Sequence, residues 1–252
     1  MTSIDVENEF FSCRQEDDVA VIKPMKGAKN VFTKIDLKED MMSVFESIRA
    51  SKDIKGVAIV YSDQYTGHAE HKRMLLESIE TKQFEDPAQF TIAFIQFFEI
   101  IREYQKPIIG GLNGGIGPDS FGMSLALDLR IATNNAIFHN PNLQLGIPPF
   151  PLLSFFFVQS LGSPKATELL LTKSEISSNE AFDLRLIHQV VSPEDLESVC
   201  LQKVRDLSAI PGHTLVEMRR LLQPGMKEIR SHIDEVFKSA KKIVYRMTHE
   251  SK

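Results

Sequence analysis

The stretch Pro107-Ile-Ile-Gly-Gly-Leu112, then Asn113-Gly-Gly-Ile-Gly-Pro-Asp-Ser120, then the apolar-periodic run Phe121 to Leu127, constrains the fold more than any other part of the chain. A short β-rich run closed by glycines and reopened by a proline reads as strand, tight turn and helix start, because Pro118 lacks only an N–H that the first helical turn does not use. The same step occurs elsewhere. Val19-Ala-Val-Ile22 reads as a buried strand, Lys26 to Asn30 as a loop, and Leu37, Met41, Val44, Phe45 and Ile48 recur at helical spacing. Gly56-Val-Ala-Ile-Val-Tyr61 is a further buried strand running into a polar stretch around Gly67, and Phe90, Phe94, Phe97 and Ile101 mark one face of a helix that stops before Lys106-Pro107. Leu129 to Ala132 and Ala136 to Phe138 are expected as two short strands, and the chain from Phe150 to Tyr245 as almost wholly helical. Strands alternating with helices imply an α/β fold with parallel pairing.

Composition narrows the partners. The chain has 252 residues, near the size at which one core begins to split. Its 29 basic against 34 acidic residues give a net charge of −5 without a basic run, so the footprint that binds nucleic-acid phosphates is missing. Cys13 and Cys200 stand far apart and in no zinc-like spacing, so free thiols are expected, with no disulfide framework and no metal. The start of the chain is acidic where a secretion signal is basic and then apolar. Its most apolar run, Phe150 to Val158, is far shorter than the ~20 residues that cross a bilayer. A cytoplasmic protein without membrane contact is expected.

Two glycine bends follow strands, one at Gly67 and one at Gly114 to Gly117. The second is neither a P-loop nor a dinucleotide fingerprint, since no Gly-Lys-Ser/Thr or G-x-G-x-x-G is present. The glycines either serve only a tight turn, or the two strand ends each present an amide to one ligand atom, which is an oxyanion hole.

The stretch from Lys106 to Leu196 resembles the crotonase (enoyl-CoA hydratase/isomerase) superfamily. Its K-P-x-I-A-A-x-N-G pattern is echoed by Lys106-Pro-Ile-Ile-Gly-Gly-Leu-Asn-Gly114, and its aspartate fifteen positions after that asparagine by Asp128. Asn135 to Phe138, Leu145-Gly-Ile147, Leu161-Gly162, Leu170 to Thr172, Ile176 to Ala181 and Leu186 to Val191 keep the family's order and spacing. The resemblance implies a spiral of ββα units over residues 1–195, a helical trimerisation region over 196–252, and binding of an acyl-CoA thioester with no separate cofactor. It assigns the two oxyanion amides to His68 or Ala69, after Gly67, and to Asp119. It makes Lys26, Lys29, Gly115 and Ile147 candidate substrate-binding residues, and it implies a homotrimer or a dimer of trimers.

The departures from the pattern are as informative. Pro118-Asp119-Ser120 stands where the family has three glycines, and a carboxylate beside a developing oxyanion opposes it unless it points away. The positions of the two hydratase glutamates hold Gly122 and Asn142, neither of which moves a proton. The family's last basic helix is expected to be missing. Of the remaining polar side chains, His68 and His139, with Asn140 beside Asn142, are candidates for acid–base or positioning work, while His71 and Glu70 read as a solvated helix face. Two functions stay open: an isomerase, lyase or decarboxylase acting by thioester enolate stabilisation, or a catalytically degenerate acyl-CoA-binding protein.

Overall fold

The structure is a computed structural model that describes residues 4–25, 35–62, 67–81 and 87–249. Its main sheet has seven strands in the order β1 (Asp5–Glu7), β2 (Phe11–Glu16), β3 (Val19–Pro24), β4 (Gly56–Val60), β5 (Ile108–Leu112), β7 (Leu129–Thr133) and β10 (Gln189–Val191). From β3 onward every neighbouring pair is parallel, while β1, β2 and β3 pair antiparallel. A second sheet of three strands runs β6 (Gly115–Ile116), β8 (Ile137–His139) and β9 (Glu175–Ser177). The ββα step is visible directly. Strand β5 in the large sheet leads at once to β6 in the small one and then to α4 (Pro118–Ser124), and β7, β8 and α5 (Pro141–Gln144) repeat it.

Period-2 side-chain alternation divides the core. Val19, Val21, Ala58, Val60, Ile109 and Ile131 point to one face of the main sheet, where Leu196, Cys200 and Val204 of α8 (Leu196–Leu207) cover them at helical spacing. Ala20, Ile22, Val57, Ile59 and Ile108 join the larger cluster on the other face, with Phe45 and Ile48 of α1 (Ile35–Ala50) and Ile95, Phe98 and Ile101 of α3 (Pro87–Arg102). A Cβ at Gly111 would meet Cys200 Sγ at 2.8 Å, so the glycine lets α8 lie close on the sheet. Both cysteines are buried and free, and burial pushes each thiol up to about 12.

The edge of β5 is fixed by charge. Asp128 Oδ2 accepts the Ile108 N–H at 2.7 Å and pairs with Arg219 of α9 (Gly212–Leu222) at 2.6 Å, while Arg219 Nε donates to Oδ1 at 2.8 Å. The same buried guanidinium donates to the Tyr104 and Lys106 carbonyls. A second buried cation, Arg130, donates to the carbonyls of Ser124, Leu127 and Leu186, closing the end of α4.

Two expectations need correction. The run from Phe150 onward is not wholly helical, because β9 and β10 lie within it; each is three residues long, too short to show a period. The long segment α6 (Pro151–Thr172) is two helices, broken at Gly162, whose φ of 74° is left-handed, and restarted by Pro164. The closing basic helix is present: α10 (Met226–His249) carries Lys238, Lys241, Lys242 and Arg246 and packs on α3 and α6. No helix among the described residues is long and apolar enough to cross a membrane.

Candidate active site

Four short elements meet at one place: the first turns of α2 (Gly67–Thr81) and α4, strand β6, and α5. Gly67, His68 and Ala69 therefore sit in a helix's first turn rather than in an open bend. Helix α4 starts where Gly117 is extended, with Pro118 at its first position and Asp119 in its first turn. His68 ties the first turn of α2 to β6, its Nδ1–H donating to the Gly115 carbonyl at 3.2 Å. A Cβ at Gly115 would lie 2.2 Å from His68 Nδ1 and 2.5 Å from Cε1, so any larger residue there would displace the His68 ring.

The ring of His68 stacks on that of His139, with centroids 4.1 Å apart and an interplanar angle of 17°. His139 Nδ1 in turn faces Glu175 Oε1 at 3.3 Å. Burial, then the neighbouring His68, holds the His139 imidazole below its ordinary pKa, with Glu175 acting in the opposite direction. Behind His139, Phe121, Phe138, Leu153 and Phe157 line a cavity of about 10 Å³, room for one water and not for an acyl chain.

His71 is the residue that sequence reasoning misplaced. It is 1% exposed rather than solvated, one turn after His68 and on the face that packs inward. Its ring meets Asn142 through Nε2 at 3.1 Å, faces Asp119 Oδ2 through Nδ1 at 4.0 Å, and takes the Phe150 ring edge-on at 6.0 Å. Asn142 donates through Nδ2 to the Pro148 carbonyl at 2.7 Å, which fixes which end of the amide turns to His71. The atom facing Nε2 is the amide oxygen, and because that oxygen only accepts, His71 carries a proton on Nε2.

Asp119, 7% exposed, directs its carboxylate toward His71. Its neighbour Ser120 is hydrogen-bonded to Tyr61, just past the end of β4; burial pushes the Tyr61 phenol above its usual range, with the Ser120 hydrogen bond opposing and the Asp119 charge adding to the rise. Neither Tyr61 nor Glu175 was singled out from the sequence, since each becomes a neighbour of the site only through strand pairing. Ile147 is buried in a small cluster with Leu75 and Val244, and its N–H donates to the Asn142 carbonyl, so it packs beside the site. Lys26 and Lys29 lie outside the described residues. Gly122 is sealed: a Cβ there would come within 2.7 Å of the Leu153 backbone nitrogen. Among the described residues, no group of three or more His, Cys, Asp or Glu side chains could hold a metal ion.

A parallel-rich sheet wound in ββα steps, with helices α2 and α4 in contact beside the small sheet, defines a class. The sequence matches the enoyl-CoA hydratase/isomerase family over residues 14–252, and the chain belongs to that family. It is 30% identical over 129 residues to 4-chlorobenzoyl coenzyme A dehalogenase-1 of Arthrobacter sp, covering 51% of this chain and 47% of that one. It is 28% identical over 123 residues to the methylmalonyl-CoA decarboxylase of Escherichia coli (strain K12), covering 49% and 47%. The chain spans about half the length of the curated relatives it matches. An enoyl-CoA hydratase structure from Bacillus halodurans superposes with a TM-score of 0.75 at 17% identity over 93% of this chain and 95% of that one. A methylmalonyl-CoA decarboxylase in complex with 2-nitronate-propionyl-CoA superposes with a TM-score of 0.71 at 21% identity over 98% of each chain. This is the crotonase fold expected from the sequence.

Proposed function

We propose that this chain is an acyl-CoA-processing enzyme that stabilises a thioester enolate, acting as an isomerase, lyase or decarboxylase rather than a hydratase. The carrying observation is that α2 packs on α4, with His68 tied to Gly115 of β6 just ahead of α4; this supports the assignment, made from the resemblance, of the two amides to His68 or Ala69 and to Asp119. Convergent amides aimed at a thioester oxygen are worth most where water is excluded. The nitronate complex of the structural neighbour supports the same reading for an enolate-like ligand. Hydration is disfavoured because Asn142 is an amide bonded to Pro148 and Gly122 is closed by Leu153. The same two observations favour the second reading, an acyl-CoA-binding protein without turnover.

The reading takes the substrate as a CoA thioester with no further cofactor, places the protein in the cytoplasm, and keeps Lys26, Lys29, Gly67, Gly115 and Ile147 as substrate-binding candidates. It also takes the assembly as a homotrimer or a dimer of trimers, for which Leu221 and Leu222 on α9, 82% and 77% exposed, supply apolar area. Calorimetric titration with a panel of saturated, unsaturated and malonyl-type acyl-CoAs, followed by product analysis, tests it. Micromolar binding with turnover supports the enzyme, binding without turnover supports the second reading, and no binding overturns both.

A further inference from the structure

The small sheet holds the first turn of α2 through contacts that cross all three of its strands. His139 of β8 and Glu175 of β9 are register partners in an antiparallel pair, so their side chains stand on one face. Ile137 shares that face with His139, and its partner on β6 is Gly115. The face therefore carries a carboxylate, an imidazole and, at Gly115, no side chain. The His68 ring lies in the space so left, with Nδ1 at 3.2 Å from the Gly115 carbonyl and its plane against that of His139.

The hydrogen bonds fix where the ring protons sit. A carbonyl and a carboxylate only accept, so His68 donates through Nδ1–H to Gly115, and His139 through Nδ1–H to Glu175 at 3.3 Å. Each neutral ring then takes its next proton on Nε2, and the ring centroids are 4.1 Å apart. One proton leaves a cation against the face of a neutral ring, which a stack accommodates. Two protons set like charges face to face. Burial, then His68, hold His139 below its ordinary pKa in the same sense.

The surrounding charges do not cancel this. The Glu175 side chain is 58% exposed, where water screens it. Lys173, on the wall of the cavity beside His139, pairs with Glu180 of α7 (Ser178–Asp183) at 3.4 Å. From α4, Asp119 faces His71, one turn further along α2, and β6 and α5 carry no titratable side chain. Lys72 and Arg73 of α2 are exposed.

We infer that His139 is a positioning residue for the candidate site: stacked on His68, it holds the first turn of α2 on the small sheet, and a second proton on the stack releases that turn. The turn carries an amide assigned to the oxyanion, so acid should weaken the binding of an acyl-CoA there. This consequence rests on the acyl-CoA reading above; the docking itself does not.

The test has two arms, each run at pH ~7.5 and ~4.5, either side of the ordinary histidine value of ~6.5. In the first, without ligand, hydrogen exchange of the amides of residues 68–73 is measured and corrected for the intrinsic rate. In the unmodified chain their protection should fall about tenfold or more at the lower pH while that of β4 is kept. His139→Phe keeps an aromatic face and takes no proton, and its protection should fall less than about threefold. Equal falls in the two chains, or none in the unmodified chain, overturn the release. His139→Ala offers no ring and should lose protection at both pH values; full protection there overturns the positioning role.

In the second arm, calorimetry with propionyl-CoA gives the ratio of dissociation constants at the two pH values. The ratio should be about tenfold or more in the unmodified chain and below about threefold in His139→Phe; titration of the probe's own phosphates is common to both chains and cancels in the comparison. A merely structural role for His139 would shift both constants of the variant together, leaving the ratio of the unmodified chain, and that result overturns the link between stack and ligand. Failure of propionyl-CoA to bind the unmodified protein overturns the acyl-CoA reading and the link with it, while the exchange arm still decides the docking. Where His139→Phe does not fold, His139→Tyr, which stacks and stays neutral over this range, carries the same comparisons.

Discussion

Gly122→Ala is the substitution whose consequence the packing determines most directly. A methyl at this position would meet Leu153 N at 2.7 Å and Leu152 Cβ at 3.0 Å, against the 3.4 Å at which ordinary contact begins. The obstruction is backbone at the start of α6, so no rotamer change relieves it; α4 and α6 must separate by several tenths of an ångström. Overpacking of this kind costs about 1–3 kcal/mol, and a backbone obstruction belongs at the upper end. Replacing glycine by alanine inside a helix returns up to about 1 kcal/mol, leaving a net loss of about 1–2 kcal/mol. For a chain of this length that lowers the melting midpoint by about 2–8 °C. Thermal and urea unfolding monitored by circular dichroism measure it, and a midpoint equal to or above that of the unmodified protein would refute the packing argument. The same obstruction means that Gly122→Glu cannot install an acid there without displacing α6.

Arg219→Met should be far more damaging, by about 3 kcal/mol in urea unfolding, because it leaves the partly buried Asp128 without its cation and the Tyr104 and Lys106 carbonyls without their donor. A loss below about 1 kcal/mol would show that the pair is dispensable. Burial first, and Arg130 second, pull His188 down to about 4 from an ordinary ~6.5. Between those values the unfolded chain binds the extra proton, so stability falls as pH drops through that window; His188→Gln should flatten the fall, and an unchanged slope contradicts the assignment. Crotonyl-CoA should be hydrated negligibly, since one missing positioned acid already costs about 10² to 10⁴ in rate. A kcat in the ordinary range of ~1–10³ s⁻¹ would mean that Gly122 and Asn142 do not occupy the acid positions.

Strands β3, β4, β5, β7 and β8 could be read from the sequence because each is an apolar run bounded by glycine, proline or charge, and α3 because its aromatic residues keep one face. Strands β9 and β10 could not, because three residues carry no period and their pairing partners are remote: Ile176 opposite Phe138, and Val190 opposite Ala132. The turns at Gly67 and Gly115 were recognisable through glycine, yet the reason for Gly115 is a ring that arrives from residue 68. His71 was read as solvated because its neighbours in sequence are polar. Its burial is imposed by α5 and α4, which supply Asn142 and Asp119 from about fifty to seventy positions away, and no local pattern announces that. The acid at 119 is the clearest example: against the family pattern it is an intruder, and in three dimensions it faces the buried ring of His71.

The central claim is that two backbone amides stabilise negative charge on a CoA thioester. Its most direct measurement is the ratio of dissociation constants for propionyl-CoA and 2-nitronate-propionyl-CoA in the unmodified protein, by calorimetry at neutral pH. Complementarity to an enolate predicts that the nitronate binds at least a hundredfold tighter, the lower edge of what analogues of a transition state show. Equal affinities for the two compounds would contradict it.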